Sequence, residues 1–506
     1  MTRSWARGLL LDGLIVASWL AAVGMVARQE GSGLWGGLAN PTTTLAAGLD
    51  AKEQWFLLSY QGQPLGFSRM AITPEHREGV PGVSVVDTGH LFFNLLGTPQ
   101  ELAVHSEAFI DADWRLQAFT ASVGSSTSVM RWDGRRHGNK LLVTVQTPTS
   151  AVTKAVRDPD GSAFVNGLSS WVAFHRLRVG QSGRTWMLNP LSLNPEAVYF
   201  HVRRREVVDG RDVLVVESDM AGLTTTTWIT PAGDVVRETS PLGWELRASS
   251  MQEALKPVRI NPATIDLLAA TSVPVDQRLE HPDALERLTI LLDGADASQF
   301  QVHRPWQTIV PPTRLSDYQR SPPSGPWCLI QLRRPEKGPA PTAIPEAIRR
   351  YLRPSPFVQS DDPRIIAKAR ELIGSRADPW DQMAALTRGV FALLTKRLTI
   401  GMPSALDVLA TPSGDCQEHT VLYTALARSI GVPTRMMAGL VYQQGRFYYH
   451  AWPEVWCGEW IPTDPTLGQL VADATHLGLI EAENEQLISL GQFIGKLRIH
   501  VLEAKE

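Results

Sequence analysis

The chain has 506 residues and a formal net charge of −3, with 43% hydrophobic and 20% charged residues. That length allows two or three domains, and the near-neutral charge gives no electrostatic footprint for nucleic acid. The cysteines form no zinc-type pairs, and there is no phosphate loop or dinucleotide fingerprint, so no motif calls for a metal or an organic cofactor.

Arg3 and Arg7 precede an apolar run from Gly8 to Ala27 that suits one membrane crossing. Asp12 lies near the start of the run, where a charge costs less than at the centre. Basic residues ahead of the run keep the N-terminus inside and export the body. The expectation is therefore a single-pass anchor in the inner membrane over residues 1–28, with the body on the periplasmic side. A signal peptide cleaved near Gly24 is the alternative. Residues 29–50, rich in Gly, Ala and Thr, read as a linker.

From Trp55 the texture becomes short β runs, such as Trp55 to Tyr60, Phe67 to Ile72, Val83 to Thr88 and Leu141 to Thr147. Asp209-Gly210 and Pro231-Ala232-Gly233 each sit between two such runs and predict hairpins. Residues 51–255 are expected to form an antiparallel β domain without catalytic residues. Arg203-Arg204-Arg205 fits the solvated side of a strand. Residues 256–343 are mixed and proline-rich, a stiff connector with a strand at Leu288 to Leu292 and an edge strand at Trp327 to Leu332.

Residues 344–506 carry the chemistry. Asp362-Pro363, Asp378-Pro379 and Ser404-Ala405 each start a helix with a capping residue. Asp415 can cap a fourth, with Glu418 completing a D-x-x-E box. Cys416 then falls at the first helical position. Val421, Leu422, Ala425, Leu426 and Ile430 give this helix an apolar face, and Gly431 followed by Pro433 ends it. Strands from Met436 to Tyr442 and Arg446 to Trp456 follow, so the order is α+β. A thiol at a helix N-terminus has its thiolate stabilised by unpaired N–H groups. Asp415 works against that effect, so only a partial fall in the Cys416 pKa is expected. An imidazole can hold the thiol's proton and a carboxylate can orient the imidazole. His450 and Asp464 follow Cys416 in that order. His419, three residues after Cys416 on the same helical face, competes as the base.

Gly414-Asp415-Cys416, the run from Arg428 to Arg435, His450-Ala451-Trp452-Pro453-Glu454 and Trp460-Ile461-Pro462-Thr463-Asp464-Pro465-Thr466 resemble the bacterial transglutaminase-like superfamily. The resemblance covers roughly the final third of the chain. It implies a papain-like core with Cys416 as nucleophile, His450 as base and Asp464 as its orienter, acting on protein or peptide substrates. Members include proteases, amidases, deamidases, cross-linking enzymes and proteins without activity, so hydrolysis, protein cross-linking and a non-catalytic scaffold all stay open. The β domain bears a fainter likeness to curved lipoprotein-type sheets.

Four finer expectations follow. Arg435 braces Glu418. Trp452 and Glu454 share the face of His450 by strand alternation. Export makes a Cys328–Cys457 disulfide possible, although no spacing supports it. Finally, a two-residue turn at Cys457-Gly458 would set His450 opposite Pro465 and turn Asp464 to the other face of the sheet. The triad therefore needs an odd-length loop, expected as Trp456 to Gly458, or a bulge at Pro453 or Pro462.

Overall fold

The structure is a computed structural model. It describes residues 51–506 apart from 96–97, 114, 125–128, 147–150, 158–176, 189–194, 221–222, 241–242, 257–265, 300–303, 339–342, 398–403, 483–489 and 491–492. The Gly8–Ala27 run and the linker after it lie outside the described residues. Among the described residues, no helix is long and apolar enough to cross a membrane. The chain divides into two compact units between Asp266 and Leu267.

In the first unit, 14 described strands between Lys52 and Ser249 form one antiparallel sheet. Lys52–Tyr60 lies inside it, paired with Gln63–Arg77 on one side and Trp244–Ser249 on the other. Phe56, Leu58 and Tyr60 are buried at the period of two that one covered sheet face requires. Asp209 and Gly210 both have positive φ, 50° and 73°, and form the two-residue turn between Val208 and Arg211. Arg203 and Arg205 pair with Glu217 and Asp212 on the exposed side. Several strands run longer than the short β runs suggest. Val80–Leu95, of 16 residues, passes straight through Gly82 and Gly89. At Gly82 a Cβ would lie 2.2 Å from the Ile110 carbonyl oxygen, so this glycine permits close strand approach rather than ending a strand.

The second unit, from Leu267 onward, contains two larger described sheets and a short parallel pair, Thr395–Lys396 with Ser413–Gly414. Val273–Pro274, Arg446–Trp456, Thr434–Gln443 and Leu477–Glu481 form one in that order, with Trp460–Pro462 also paired to Arg446–Trp456. The other runs Gln307–Val310, Trp327–Arg333, Arg287–Asp293, Arg498–Lys505. Arg287–Asp293 pairs directly with the C-terminal strand. The stretch expected to be a connector is thus woven into this unit, and Trp327–Arg333 is an interior strand, not an edge. Cys328 and Cys457 are buried free thiols.

The helices begin where the capping residues place them. Asp362 accepts the Arg364 N–H and Asp378 accepts those of Trp380 and Asp381, each with a proline in the first turn. Ser404 and Asp407 form a capping box. The helix Cys416–Ser429 is buried on nearly every side, because it packs against Pro363–Ile373, Pro379–Leu393 and Ala405–Ala410 and also against the central sheet. The expected apolar face therefore understates its burial. Among its interior polar groups, the Arg428 guanidinium donates to the Thr434 and Arg353 carbonyls, while the buried Thr420 and Thr424 hydroxyls have no partner in the described residues. Gly431, at φ 83°, ends the helix, and Val432 N–H returns to the Ala427 carbonyl.

Candidate active site

The Cys416 helix is fixed at its N-terminus by a reciprocal cap. Gln417 N–H donates to Asp415 Oδ1 (3.0 Å), and Asp415 N–H donates to Glu418 Oε2 (2.9 Å). Gly414 makes room for this, since a Cβ there would lie 2.3 Å from the Glu418 side chain. Cys416 is only 1% exposed. The Ala451 backbone N–H lies near enough to the sulfur to favour the thiolate, so the thiol sits beside the backbone that carries His450. Burial and the adjacent Asp415 push the thiol well above the ordinary cysteine value, and the Ala451 contact only partly opposes them. The expected fall in its pKa is therefore reversed: burial and the neighbouring carboxylates keep the resting group a thiol.

His450 lies within Arg446–Trp456, the second strand of the central sheet. Its hairpin partner pairs as Trp456 with Trp460, Val455 with Ile461 and Glu454 with Pro462. The loop is thus Cys457-Gly458-Glu459, odd in length but one residue later than expected. Continued past Pro462, this register would set Asp464 opposite Trp452, diagonal to His450 on the same face. The ladder in fact gives way there. Thr463 N–H reaches the Pro453 carbonyl, while Asp464 pairs through both backbone groups with Gln469. Thr463 is also tied to Thr387 of the Pro379–Leu393 helix by a 2.7 Å hydroxyl contact.

His450 Nε2 donates to Asp464 Oδ2 at 2.6 Å, and both side chains are fully buried. The bond fixes the tautomer, leaving His450 Nδ1 as a buried acceptor with no protein partner. Asp464 Oδ1 accepts the Thr466 and Leu467 N–H groups at 2.7 and 2.9 Å. A second histidine, His476, reaches Asp464 Oδ2 through Nε2 at 3.1 Å. Burial would raise the Asp464 carboxyl, but His450 and His476 together outweigh it and hold the group far below the usual carboxylate range. Trp452 stacks on His450 (6.0 Å between centroids, 27°) and meets His476 edge-on (5.1 Å, 88°). Gly439 leaves space for that indole, as a Cβ there would lie 2.8 Å from its ring.

His419 stays on its own helix. Its Nδ1–H donates to the Asp415 carbonyl, and its buried Nε2 has no partner. Burial pushes its pKa down to about 4, so the ring is a neutral acceptor. Arg435 does not brace Glu418. It pairs with Glu454 (2.6 Å) and Glu481 (2.9 Å), and Glu454 also pairs with Arg304 (2.6 Å) from the stretch expected to be a connector. This ion cluster and the His476 contact are absent from the sequence reading. The one local cue to His476 is the Asp473-x-x-His476 spacing just before the apolar run Leu477–Ile480.

His450, Asp464 and His476 bring ligand-type atoms within 4.8 Å of one another. Each is already committed to a proton, however. Both contacts to Asp464 have hydrogen-bond length, and His476 Nδ1 turns to Asp473 Oδ1 at 3.2 Å. The trio fits a proton-bonded cluster better than a cation.

A buried thiol at a helix N-terminus, followed by a histidine on a strand and an aspartate just beyond the neighbouring strand, is the arrangement of a papain-like thiol-enzyme fold. Residues 366–465 match the transglutaminase-like superfamily, and the chain carries a domain of that superfamily there. No curated protein matches. Among solved structures, the chain is similar to a proposed cysteine protease from Cytophaga hutchinsonii, at 16% identity over 44% of this chain and 85% of that one, with a TM-score of 0.28. It is also similar to a β-barrel-like protein of the domain of unknown function DUF1849 from Brucella abortus, at 12% identity over 39% and 94%, TM-score 0.30.

Proposed function

We propose that this chain is a cysteine-dependent acyl-transfer enzyme acting on amide bonds of proteins or peptides, with Cys416 as nucleophile, His450 as base and Asp464 as orienter. The observation that carries the reading is the buried, unpartnered Nδ1 of His450, held in its acceptor tautomer by Asp464 on the strand whose backbone passes near the Cys416 sulfur. Because the resting thiol is protonated, attack and proton transfer are coupled. As the Cys416 sulfur bonds to the amide carbon, its proton passes to His450 Nδ1. The Cys416 backbone N–H, in the first helical turn and without an intrahelical acceptor, stabilises the oxyanion. The imidazolium then protonates the leaving amine, and a Cys416 thioester remains. Water or a second amine, deprotonated by His450, attacks the thioester and restores the thiol. Hydrolysis is favoured, since water is always available and no amine-binding feature marks the site among the described residues. Cys416 is 1% exposed, so the acyl donor reaches it only after the surrounding chain opens.

We place the body outside the cytoplasm, tethered by the Gly8–Ala27 run. A reporter fused after Lys52 should then be active only on the exported side. For the chemistry, a peptide mixture is incubated with the protein in ¹⁸O-water, with and without a primary amine. Hydrolysis enters one ¹⁸O per new carboxyl group and transfer adds the amine; Cys416→Ala should do neither. Identical peptide spectra with wild type and C416A would reject the acyl-transfer reading in favour of a scaffold.

A further inference from the structure

His476 is fully buried, and no step of the proposed mechanism uses it. Both its nitrogens face oxygens that can only accept. Nε2 lies 3.1 Å from Asp464 Oδ2, while Nδ1 lies 3.2 Å from Asp473 Oδ1 and 3.3 Å from the Asp473 carbonyl. A neutral imidazole has one N–H and one lone pair, so one of these contacts would set lone pair against lone pair. The imidazolium satisfies both. The segment that carries it closes on itself. Gln469 bonds Asp464 through two backbone contacts and donates its side-chain amide to Asp473 Oδ2 at 2.7 Å. Thr475 N–H and hydroxyl also bind Asp473 Oδ1. The path from Asp464 through Gln469, Asp473 and His476 therefore returns to Asp464.

We propose that His476 is a positioning residue of the active site: donating from both ring nitrogens, it pins the Asp464 carboxylate beneath His450 and offsets part of its charge. The proposal rests on the acyl-transfer reading for its functional meaning, but its geometry does not depend on the substrate. Burial lowers the basicity of His476, yet Asp473 and Asp464 outweigh it and raise the pKa to about 9. The groups that face His476 are Asp464, Asp473 and the His450 ring, 5.9 Å away centroid to centroid. Lys396 and His419 lie near enough to feel the charge of Asp464. The same charge also disfavours the Cys416 thiolate, so the His476 cation makes the thiolate easier to form.

The test uses the full chain and iodoacetamide, with mass spectrometry following Cys416 alkylation against pH in wild type and His476→Gln. Gln can donate to Asp464 from the Nε2 position but carries no charge. Cys416 alkylation should slow about tenfold below pH 9, where wild-type His476 carries its charge, and the two rates should converge as pH rises above 9, as expected for losing one nearby charge in a protein interior. A drop in rate of the same size at every pH, above 9 as well as below, would mean a merely structural role and overturn the proposal. If H476Q fails to fold, ¹⁵N NMR of wild-type His476 decides: two protonated nitrogens at pH 7 support the proposal, and a neutral ring refutes it. A pH-dependent slowing with no acyl product in ¹⁸O-water would sink the enzyme reading and leave this one standing.

Discussion

Asp464→Asn keeps the shape of the side chain and removes only its charge and acceptor pattern. In the wild type Asp464 accepts four hydrogen bonds, two from imidazoles and two from backbone N–H groups, with its side chain fully buried. An asparagine can keep its oxygen on Thr466 and Leu467, but its NH₂ then points at two N–H donors. His450 must surrender its Nε2 proton, take one on Nδ1 and present a donor to the thiol in place of an acceptor. A tautomer error of this kind costs about 10⁴-fold in triad enzymes. The change also leaves the His476 cation with Asp473 as its one carboxylate partner, and breaking a buried pair costs roughly 3–5 kcal/mol. For a unit of this size, that corresponds to a fall in Tm on the order of 10 °C. Single-turnover thioester formation and thermal unfolding at pH 7 read the two effects separately. A D464N protein that acylates within tenfold of wild type would refute the claim that Asp464 sets the tautomer.

Stability should depend on pH in two opposed ways. His476 has a folded pKa raised to about 9, so its contribution is complete below about 6.5 and is lost as pH rises through 9; His419, lowered to about 4, has full effect above about 6.5 and loses it as pH falls towards 4. Each is worth up to roughly 3 kcal/mol, so chemical denaturation should show a maximum near pH 6.5, with H476Q flattening the alkaline limb and H419Q the acid limb. Glu454→Ala leaves Arg304 and Arg435 buried without their shared carboxylate, and should lower stability by roughly 3–5 kcal/mol in the same assay. Gly414→Ala forces a methyl group into the Glu418 side chain, so it should break the cap, lower Tm and slow Cys416 alkylation. Burial raises the Cys328 and Cys457 thiols to about 12, so neither should alkylate appreciably at pH 8 until the protein unfolds.

The parts of the site governed by local rules were legible in the sequence. Asp415, Glu418 and Gly431 mark the limits of the Cys416 helix because caps and stops act over a few residues. The parity argument at Cys457 likewise follows from the two-residue repeat of a strand, which is why an odd loop could be expected. The exact loop residues could not, since pairing of Trp456 with Trp460 depends on packing from outside the hairpin. Partners distant in sequence were also invisible. Arg304 reaches Glu454 across a sequence separation of 150, and nothing near either residue announces it. The Cys416 thiol departs from the expected direction for a related reason: the cap is local, whereas the burial that raises the thiol comes from the whole unit. In the first unit, Gly82 lies inside a long strand at a place of close strand approach, a property that only the neighbouring strand decides.

The central claim is that Cys416 forms an acyl intermediate with help from His450. The most direct test is to mix the protein with an acyl-donor peptide, quench in acid within one turnover, and map the covalent adduct by mass spectrometry. The account predicts a hydroxylamine-sensitive thioester on Cys416 in wild type, its formation slowed by orders of magnitude in His450→Gln and absent in Cys416→Ala. An adduct that forms at the same rate in H450Q, or one that maps to another residue, would contradict it.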